Sequence, residues 1–527
     1  MLLSEPTAAR PGAPTPPAAA ADVLDVPAAH STPPATPPPP LDVAGKDVFL
    51  VGIGGCGMSG LARMVKARGG RVSGSDMNRQ ETTDALAADG IAVRIDGAID
   101  APCANTIPAK CDLVVVSAAI KADHPQYNEA LGRGVPVLTY AQALGRCMVG
   151  RTGVAIAGTH GKSTTTAMLG VVLAAAGIDP TVIVGATCAQ LGGGVRLGAN
   201  TIPTGPLAGR PGVLVAEACE FNRSFHNFHP TIAAITSVEA DHLDIYGSLD
   251  AVVESFATFA RQVAPADDGG LLLIAHEGAH RREVAAGVRA RVQTIGFSPA
   301  ADWSVRYEPA TRTATLVNPA KTVACQWTMQ LPGEHNAMNA ATAAALAISL
   351  GADAAKVGAA LTDFRGVDRR TQFLGVRSLG RGAGVGVRVY DDYGHHPTEV
   401  DCTLRALRQF DQPEKKGGRL VCVFQPHQHS RTRHLLAEFA SAFSAADIVI
   451  VPHIYFVRDS EQEKHLVSAA DLVDRLRAKG VQAMHLYPFE AIVDQLANLC
   501  RDGDTLAVMG AGPVYKVAQG FLAAGKG

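Results

Sequence analysis

Short runs of consecutive apolar residues recur along this chain, most ending in glycine or an acidic residue before a longer stretch with helical spacing. The first run lies at 47–53, a helix is expected over 58–68, and a second run at 71–75 stops at Asp76. Runs at 113–117 and 135–139 follow, with a helical stretch at 83–88. The scheme restarts at 154–157, with a helix over 167–177 and strands at 212–216 and 231–236. It restarts once more at 387–390 and continues at 419–424, 447–452 and 505–509. Strands apolar on both faces sit between helical layers, so this pattern predicts parallel sheets in an α/β chain. Three stretches read differently. Residues 301–331 alternate like antiparallel strands, 337–350 reads as a helix capped at Gly351, and the polar, glycine-rich 192–212 reads as a loop.

A chain of 527 residues exceeds one hydrophobic core. The restarts divide it into a Pro/Ala-rich tail (1–44), expected to be disordered, and three α/β domains in series. These are a Rossmann-like N-terminal domain (45–149), a central P-loop ATPase-like domain (150–363) and a C-terminal Rossmann-like domain (364–527). The tail lacks a basic start followed by an apolar core, so it does not read as a signal peptide. A net charge of −2 argues against bulk electrostatic binding to nucleic acid, and no long apolar run suggests membrane insertion. Ten dispersed cysteines without a CxxC pair read as reduced thiols of a cytoplasmic protein.

The chemistry concentrates at strand ends. After the run at 154–157 come Gly158, Thr159, His160, Gly161, Lys162, Ser163 and Thr164, a glycine turn leading toward a helix. Glycines let backbone N–H groups close on a polyphosphate, the lysine reaches its terminal phosphates, and the hydroxyl can bind Mg²⁺. The generic spacing asks for a glycine at Ile156, so this loop departs from the common form. Gly52, Gly54 and Gly57 match GxGxxG between a strand and a helix, and Asp76 ends the next strand, where an acid can hold ribose hydroxyls. Glu217 closes the run at 212–216, with Glu220 three residues on. Glu239, Asp241, His242 and Asp244 close the next run and suggest a metal or catalytic cluster. Asn336 and Asn339 share one helical face and could read an adenine edge. Arg369–Arg370 could clamp phosphate or carboxylate. His395–His396 and His427 lie at two strand ends. They lack the thiolates or fixed spacing of a zinc site, and a substrate or nucleotide surface is the favoured reading.

Taken in order, these segments resemble the Mur ligase family, the ATP-dependent amide-forming enzymes of peptidoglycan synthesis. The segments are Gly52-Ile-Gly-Gly-Cys-Gly-Met-Ser-Gly60, Ser73-Gly-Ser-Asp76, Gly158-Thr-His-Gly-Lys-Ser-Thr164, Glu217-Ala-Cys-Glu220, Asp241-His-Leu-Asp244, His335-Asn-x-x-Asn339, Phe364-x-Gly-Val-x-Arg-Arg370, Asp392-Tyr-Gly-His-His-Pro397 and Phe424-Gln-Pro-His427. The resemblance covers about 45–527, and the opening glycine segment points to the alanine-adding member.

The resemblance implies that ATP phosphorylates the lactyl carboxylate of UDP-N-acetylmuramate and that L-alanine then displaces phosphate. It implies a UDP-sugar site at Gly52, Gly54, Gly55, Gly57, Met58, Ser59, Asp76 and Ser117. It implies an ATP site at 158–164 with Asn336, Asn339, Arg369 and Asp392, and Mg²⁺ held by Ser163, Glu217 and His242. The catalytic set would be Lys162, Glu217, His242, Arg369 and His395, with His396, His427 and Arg431 on the amino-acid side. A monomer or homodimer is expected. Ser163 stands where many relatives carry Thr, Ser237 where Asn is usual, and Gln428 where Arg is frequent. The competing readings are a murein tripeptide ligase with the same layout and, more distantly, an NAD-dependent oxidoreductase read from GxGxxG alone. The oxidoreductase reading leaves the Lys162 loop unexplained.

Overall fold

The computed structural model describes residues 36–96, 106–380, 385–457 and 459–524. Its strands form three sheets that follow one another along the chain. In the first, Ala92–Ile95, Arg71–Asp76, Asp47–Val51, Leu113–Val116 and Val137–Thr139 lie side by side, all parallel. The strand order reverses at Asp47–Val51, so a crevice opens at its carboxyl end, just where the glycine segment begins. The helix there spans Cys56–Ala67, starting two residues earlier than its apolar periodicity predicts.

The central sheet has ten strands. Its parallel middle runs from Thr181–Cys188 through Val213–Glu217, Thr152–Ala157 and Ile232–Ile235 to Leu271–Ala275 and Arg291–Gly296. The alternating stretch at 301–331 does form antiparallel strands, Trp303–Glu308, Thr313–Val317 and Val323–Thr328, which extend this same sheet. Two expectations need correcting. The stretch 192–212 is not all loop, because Gly193–Arg196 pairs antiparallel with Thr181–Cys188 as the edge strand. The helix expected from residue 167 begins at Lys162 and spans Lys162–Ala175. Its opening Lys-Ser-Thr-Thr-Thr has weak helix propensity, but burial of all four hydroxyl residues overrides that preference. Alanines of the helix Glu334–Ser349 pack against it, their small side chains permitting a close approach.

The third sheet orders Gln372–Arg377, Val387–Asp392, Thr505–Met509, Leu420–Phe424, Ile448–Val451 and Gln482–His485. The first and last of these are edge strands with few buried side chains, so their apolar signal is weak.

The two junctions between layers differ in chemistry. One apolar core runs continuously from Leu61 and Val65 of the first domain to Ile183 and Leu214 of the central one. From residue 374 onward the third domain keeps its own cores on both sheet faces, whereas Phe364 and Val367 pack in the central core. Its contacts with the central domain near the site are polar, as described below. Within 1–44, Leu41 and Val43 are buried in the first core, while residues 1–35 lie outside the described residues.

Candidate active site

The loop at 158–164 connects the central strand Thr152–Ala157 to the helix Lys162–Ala175. Gly158 (φ +133) and Gly161 (φ +83) hold backbone conformations that side chains resist. A Cβ on Gly161 would stand 2.4 Å from Asn339 Oδ1, and one on Gly158 would stand 2.0 Å from Thr236 Oγ1. The neighbouring strand end braces the loop. Ser237 O accepts from Thr159 N–H (3.0 Å), Ser237 Oγ accepts from His160 N–H (2.9 Å), and Thr159 Oγ1 accepts from Glu239 N–H (2.9 Å). Ser237 thus serves the loop itself through both its carbonyl and its hydroxyl.

Lys162 Nζ donates to Gly158 O (2.6 Å) and Thr159 O (3.1 Å) and lies 2.9 Å from Glu220 Oε2. Burial alone would lower its pKa, but Glu220, Cys219 and Glu217 outweigh that, and the ammonium stays charged. Sequence reasoning noted Glu220 without giving it a role; only the fold aims it at this lysine. Beside it, Ser163 Oγ donates to Glu217 Oε1 (3.1 Å), and Gly185 N–H fixes the other Glu217 oxygen (2.9 Å). His242 heads the short helix Leu243–Tyr246 in a left-handed conformation, and its Nε2 lies 3.6 Å from Asp241 and 4.0 Å from Glu220. These three residues could hold a metal ion together.

A cavity of about 250 Å³ opens between the central and third domains, lined by residues 159–164, Glu217, Asn336, Asn339, Arg370 and Asp392, among others. Both asparagines are buried: Asn336 Nδ2 donates to Pro332 O (2.8 Å), and Asn339 Oδ1 accepts from Thr165 Oγ1 (3.2 Å). Asp392 accepts from Thr371 N–H (2.6 Å) and Gly394 N–H (2.6 Å), and burial pushes its pKa up.

Arg369 is not among the residues lining that cavity. Its guanidinium donates to Asp391 Oδ2 (3.3 Å), Gly510 O (2.7 Å) and Gly512 O (3.2 Å), and it stacks over Tyr393 and Tyr515. Its neighbour Arg370 lines the cavity instead. Two adjacent arginines are indistinguishable by type. The left-handed turn at Arg369 (φ +59) sends one each way.

At the domain junction, Arg431 crosses from the third domain to Asp241 (Nη2 to Oδ1, 2.9 Å) and lies 3.3 Å from His427 Nδ1. Burial alone would raise the Asp241 pKa, but Arg431 and His242 hold it well below the ordinary carboxylate range. His395 and His427 face each other with ring centroids 5.6 Å apart, and burial brings the His395 pKa down to about 4. His396 reaches Ala240 O (3.3 Å) and lies 4.8 Å from the His160 ring. His160 is bounded by Glu239 and Glu399, whose pull exceeds the burial cost and raises its pKa to about 9. Glu399 was missed in the sequence, although its place in the first turn of the helix Pro397–Asp411 marked it as a capping residue.

In the first domain, Asp76 Oδ2 accepts from Gly54 N–H (2.9 Å), and Gly52 abuts Ser117. Gly57 lies against the Tyr140 ring, where a Cβ would stand 2.6 Å from the phenol oxygen. Met58 and Ser59 are buried, with Ser59 Oγ donating to Cys56 O (2.9 Å), so both face inward.

A phosphate loop on a parallel sheet, capped by a third domain and preceded by a glycine-rich Rossmann-like domain, defines a nucleotide-using enzyme. The Mur ligase family, catalytic domain, matches residues 47–152; the Mur ligase middle domain matches 156–347; and the Mur ligase, glutamate ligase domain, matches 369–512. The chain belongs to the Mur ligase family. It is 40% identical to UDP-N-acetylmuramate–L-alanine ligase of Kineococcus radiotolerans over 90% of this chain and 95% of that protein. It is 35% identical to the enzyme of the same name from Caldanaerobacter subterraneus, over 90% and 97% of the two chains. The crystal structure of UDP-N-acetylmuramate–alanine ligase from Thermotoga maritima matches with a TM-score of 0.69 at 26% identity, covering 91% of this chain and 99% of that one.

Proposed function

We propose that this chain is an ATP-dependent ligase joining L-alanine to the lactyl carboxylate of UDP-N-acetylmuramate, releasing ADP and phosphate through an acyl-phosphate intermediate. The observation that carries this reading is the meeting, at one polar domain junction, of a phosphate loop bearing Lys162 with a wall bearing Arg431 and His427. The names of the relatives supply the substrates. The domains are assigned as 45–149 for the UDP-sugar, 150–363 for ATP and 364–527 for closure and acceptor.

Phosphoryl transfer needs charge neutralisation and alignment more than covalent help. Lys162 would exchange its loop carbonyls for the terminal phosphates, and the N–H groups at the start of its helix would hold the adjacent oxygens. Asn336 and Asn339 line the cavity and would face the adenine, and Asp392, which lines it too, would help seat ATP. Arg370, which lines the cavity, would make the phosphate contact that the family resemblance implies for Arg369. Arg431 would exchange Asp241 for the alanine carboxylate, and His395, held neutral by burial, lines the same wall beside His427.

The Ser163 hydroxyl and Glu217 carboxylate are a hard oxygen pair, anchored by Gly185, that fits Mg²⁺. Glu220, Asp241 and His242 offer a second, mixed donor set. Bound there, Mg²⁺ would neutralise phosphate charge. No helix among the described residues is long and apolar enough to cross a membrane, and the nine described cysteines are free, which suits a cytoplasmic enzyme. The deciding experiment is phosphate release with UDP-N-acetylmuramate, comparing L-alanine, L-serine, glycine and the murein tripeptide. Preference for L-alanine supports the proposal. Preference for the tripeptide makes this a recycling ligase instead.

A further inference from the structure

Glu399 lies half-buried at the junction of the central and third domains, and its two oxygens do different work. Oε1 lies 3.1 Å from His160 Nδ1 on the phosphate loop. Oε2 accepts from the backbone N–H groups of His395 (2.9 Å) and His396 (3.2 Å), where the third-domain wall begins. On its other side, His160 meets Glu239 (Nε2 to Oε2, 3.5 Å), and Glu239 accepts from Thr398 Oγ1 (2.7 Å). The chain of contacts crosses the junction twice, through His160–Glu399 and through Glu239–Thr398. The apolar cores of the third domain do not reach this place.

We propose that Glu399 is a positioning residue that couples the phosphate loop to the acceptor wall, one oxygen orienting His160 and the other fixing His395 and His396. The inference rests on the ligase reading above for what the acceptor wall binds, but not for the link to the nucleotide loop. A single carboxylate so placed makes ATP binding and acceptor binding favour the same domain pose, so each ligand tightens the other.

Only one of the three neighbouring histidines is charged at neutral pH. Glu239 and Glu399 overcome the burial of His160 and hold its proton up to about 9. Burial keeps His395 and His396 neutral, with the His160 charge adding to the effect at His396. Asp241 faces His395 and His396, and Arg370 and His395 act on Glu399. Replacing the Glu399 carboxylate by an amide removes the charge that retains the His160 proton while preserving an acceptor of similar shape.

The test uses the full chain with Glu399→Gln, His160→Gln and the double variant. ATP affinity is titrated from pH 6 to 10 with Mg²⁺ and no other substrate, so this readout stands whether or not the ligase reading does. In the parent, affinity should fall as pH passes about 9, the value at which His160 loses its proton. In Glu399→Gln that fall should move down by about one pH unit or more, as loss of an adjacent opposite charge dictates. Affinity at neutral pH should weaken about tenfold, the worth of a buried hydrogen bond to a charged group. The double variant should be no worse than the weaker single one, because the two groups act as a unit.

Where the parent turns over, saturating ATP should lower the KM for the amino acid, and Glu399→Gln should abolish that linkage. A parent without turnover refutes the ligase reading, and the pH titration still decides the role of Glu399. An unshifted alkaline limb in Glu399→Gln, or additive losses in the double variant, overturns the proposal.

Discussion

The Lys162 ammonium is held 2.9 Å from the Glu220 carboxylate while it also donates to Gly158 O and Thr159 O. The group that would meet phosphate is therefore already charged, half-buried and aimed along its own loop. Lys162→Ala should reduce turnover by about a thousandfold or more, on the scale of losing a donor to developing charge. UDP-sugar affinity should change little, because the site proposed for it lies in the first domain. Equilibrium binding of UDP-N-acetylmuramate alongside phosphate release checks both halves. Glu220→Gln should lower turnover too, by loosening the lysine.

Gly161→Ala should abolish nucleotide binding and destabilise the fold. Its φ is +83, and the added Cβ would stand 2.4 Å from Asn339 Oδ1, so the substitution strains the backbone and displaces an asparagine on the cavity wall. A thermal-shift measurement with and without ATP should show both a lower melting temperature and the loss of the ATP-induced rise.

Arg431→Lys should raise the KM for L-alanine about tenfold or more with a smaller effect on the KM for ATP, because a bidentate fork becomes a point charge. Steady-state kinetics with each substrate varied in turn would reveal an equal effect on both, which would place Arg431 in domain closure instead.

Stability should fall on the acid side of neutrality. Burial lowers the pKa of His335 and of His395 to about 4 each, below the unfolded value, so the unfolded chain binds more protons in between. Each should cost about 2 kcal/mol at pH 5 relative to neutral pH, a loss that grows as pH falls toward 4. His160 has the opposite sign: its raised pKa contributes stability below its unfolded value that is lost as pH rises through about 9. Thermal unfolding from pH 4.5 to 10 should therefore show a maximum between the two limbs, with His160→Gln flattening the alkaline one.

Chelation of divalent cations should stop turnover, and Glu217→Gln should raise the Mg²⁺ concentration needed to restore it, since only the Ser163 hydroxyl would remain at that position. A Mg²⁺ titration of phosphate release in parent and variant measures this directly.

Much of this molecule could be read along the chain. Strands apolar on both faces, such as Leu113–Val116 and Leu420–Phe424, identified the parallel sheets, and the glycine loop before Lys162 marked a wall of the interdomain cavity. The edge strands Gly193–Arg196 and Gln482–His485 were not legible, because an edge buries too little to leave an apolar signature.

The order of three α/β domains and the residue types offered at each strand end are legible along the chain, because burial and glycine turns are local constraints. Tertiary structure alone decided which of those groups meet. It turned Arg369 inward and left Arg370 on the cavity, paired Lys162 with Glu220, and set Arg431 of the third domain against Asp241 of the second. It also brought Glu399 to His160, 239 positions away in the chain. The two pairings that cross domains, Arg431 with Asp241 and Glu399 with His160, depend on how one domain packs on another, and a polar junction leaves no periodic trace of that in the order of residues.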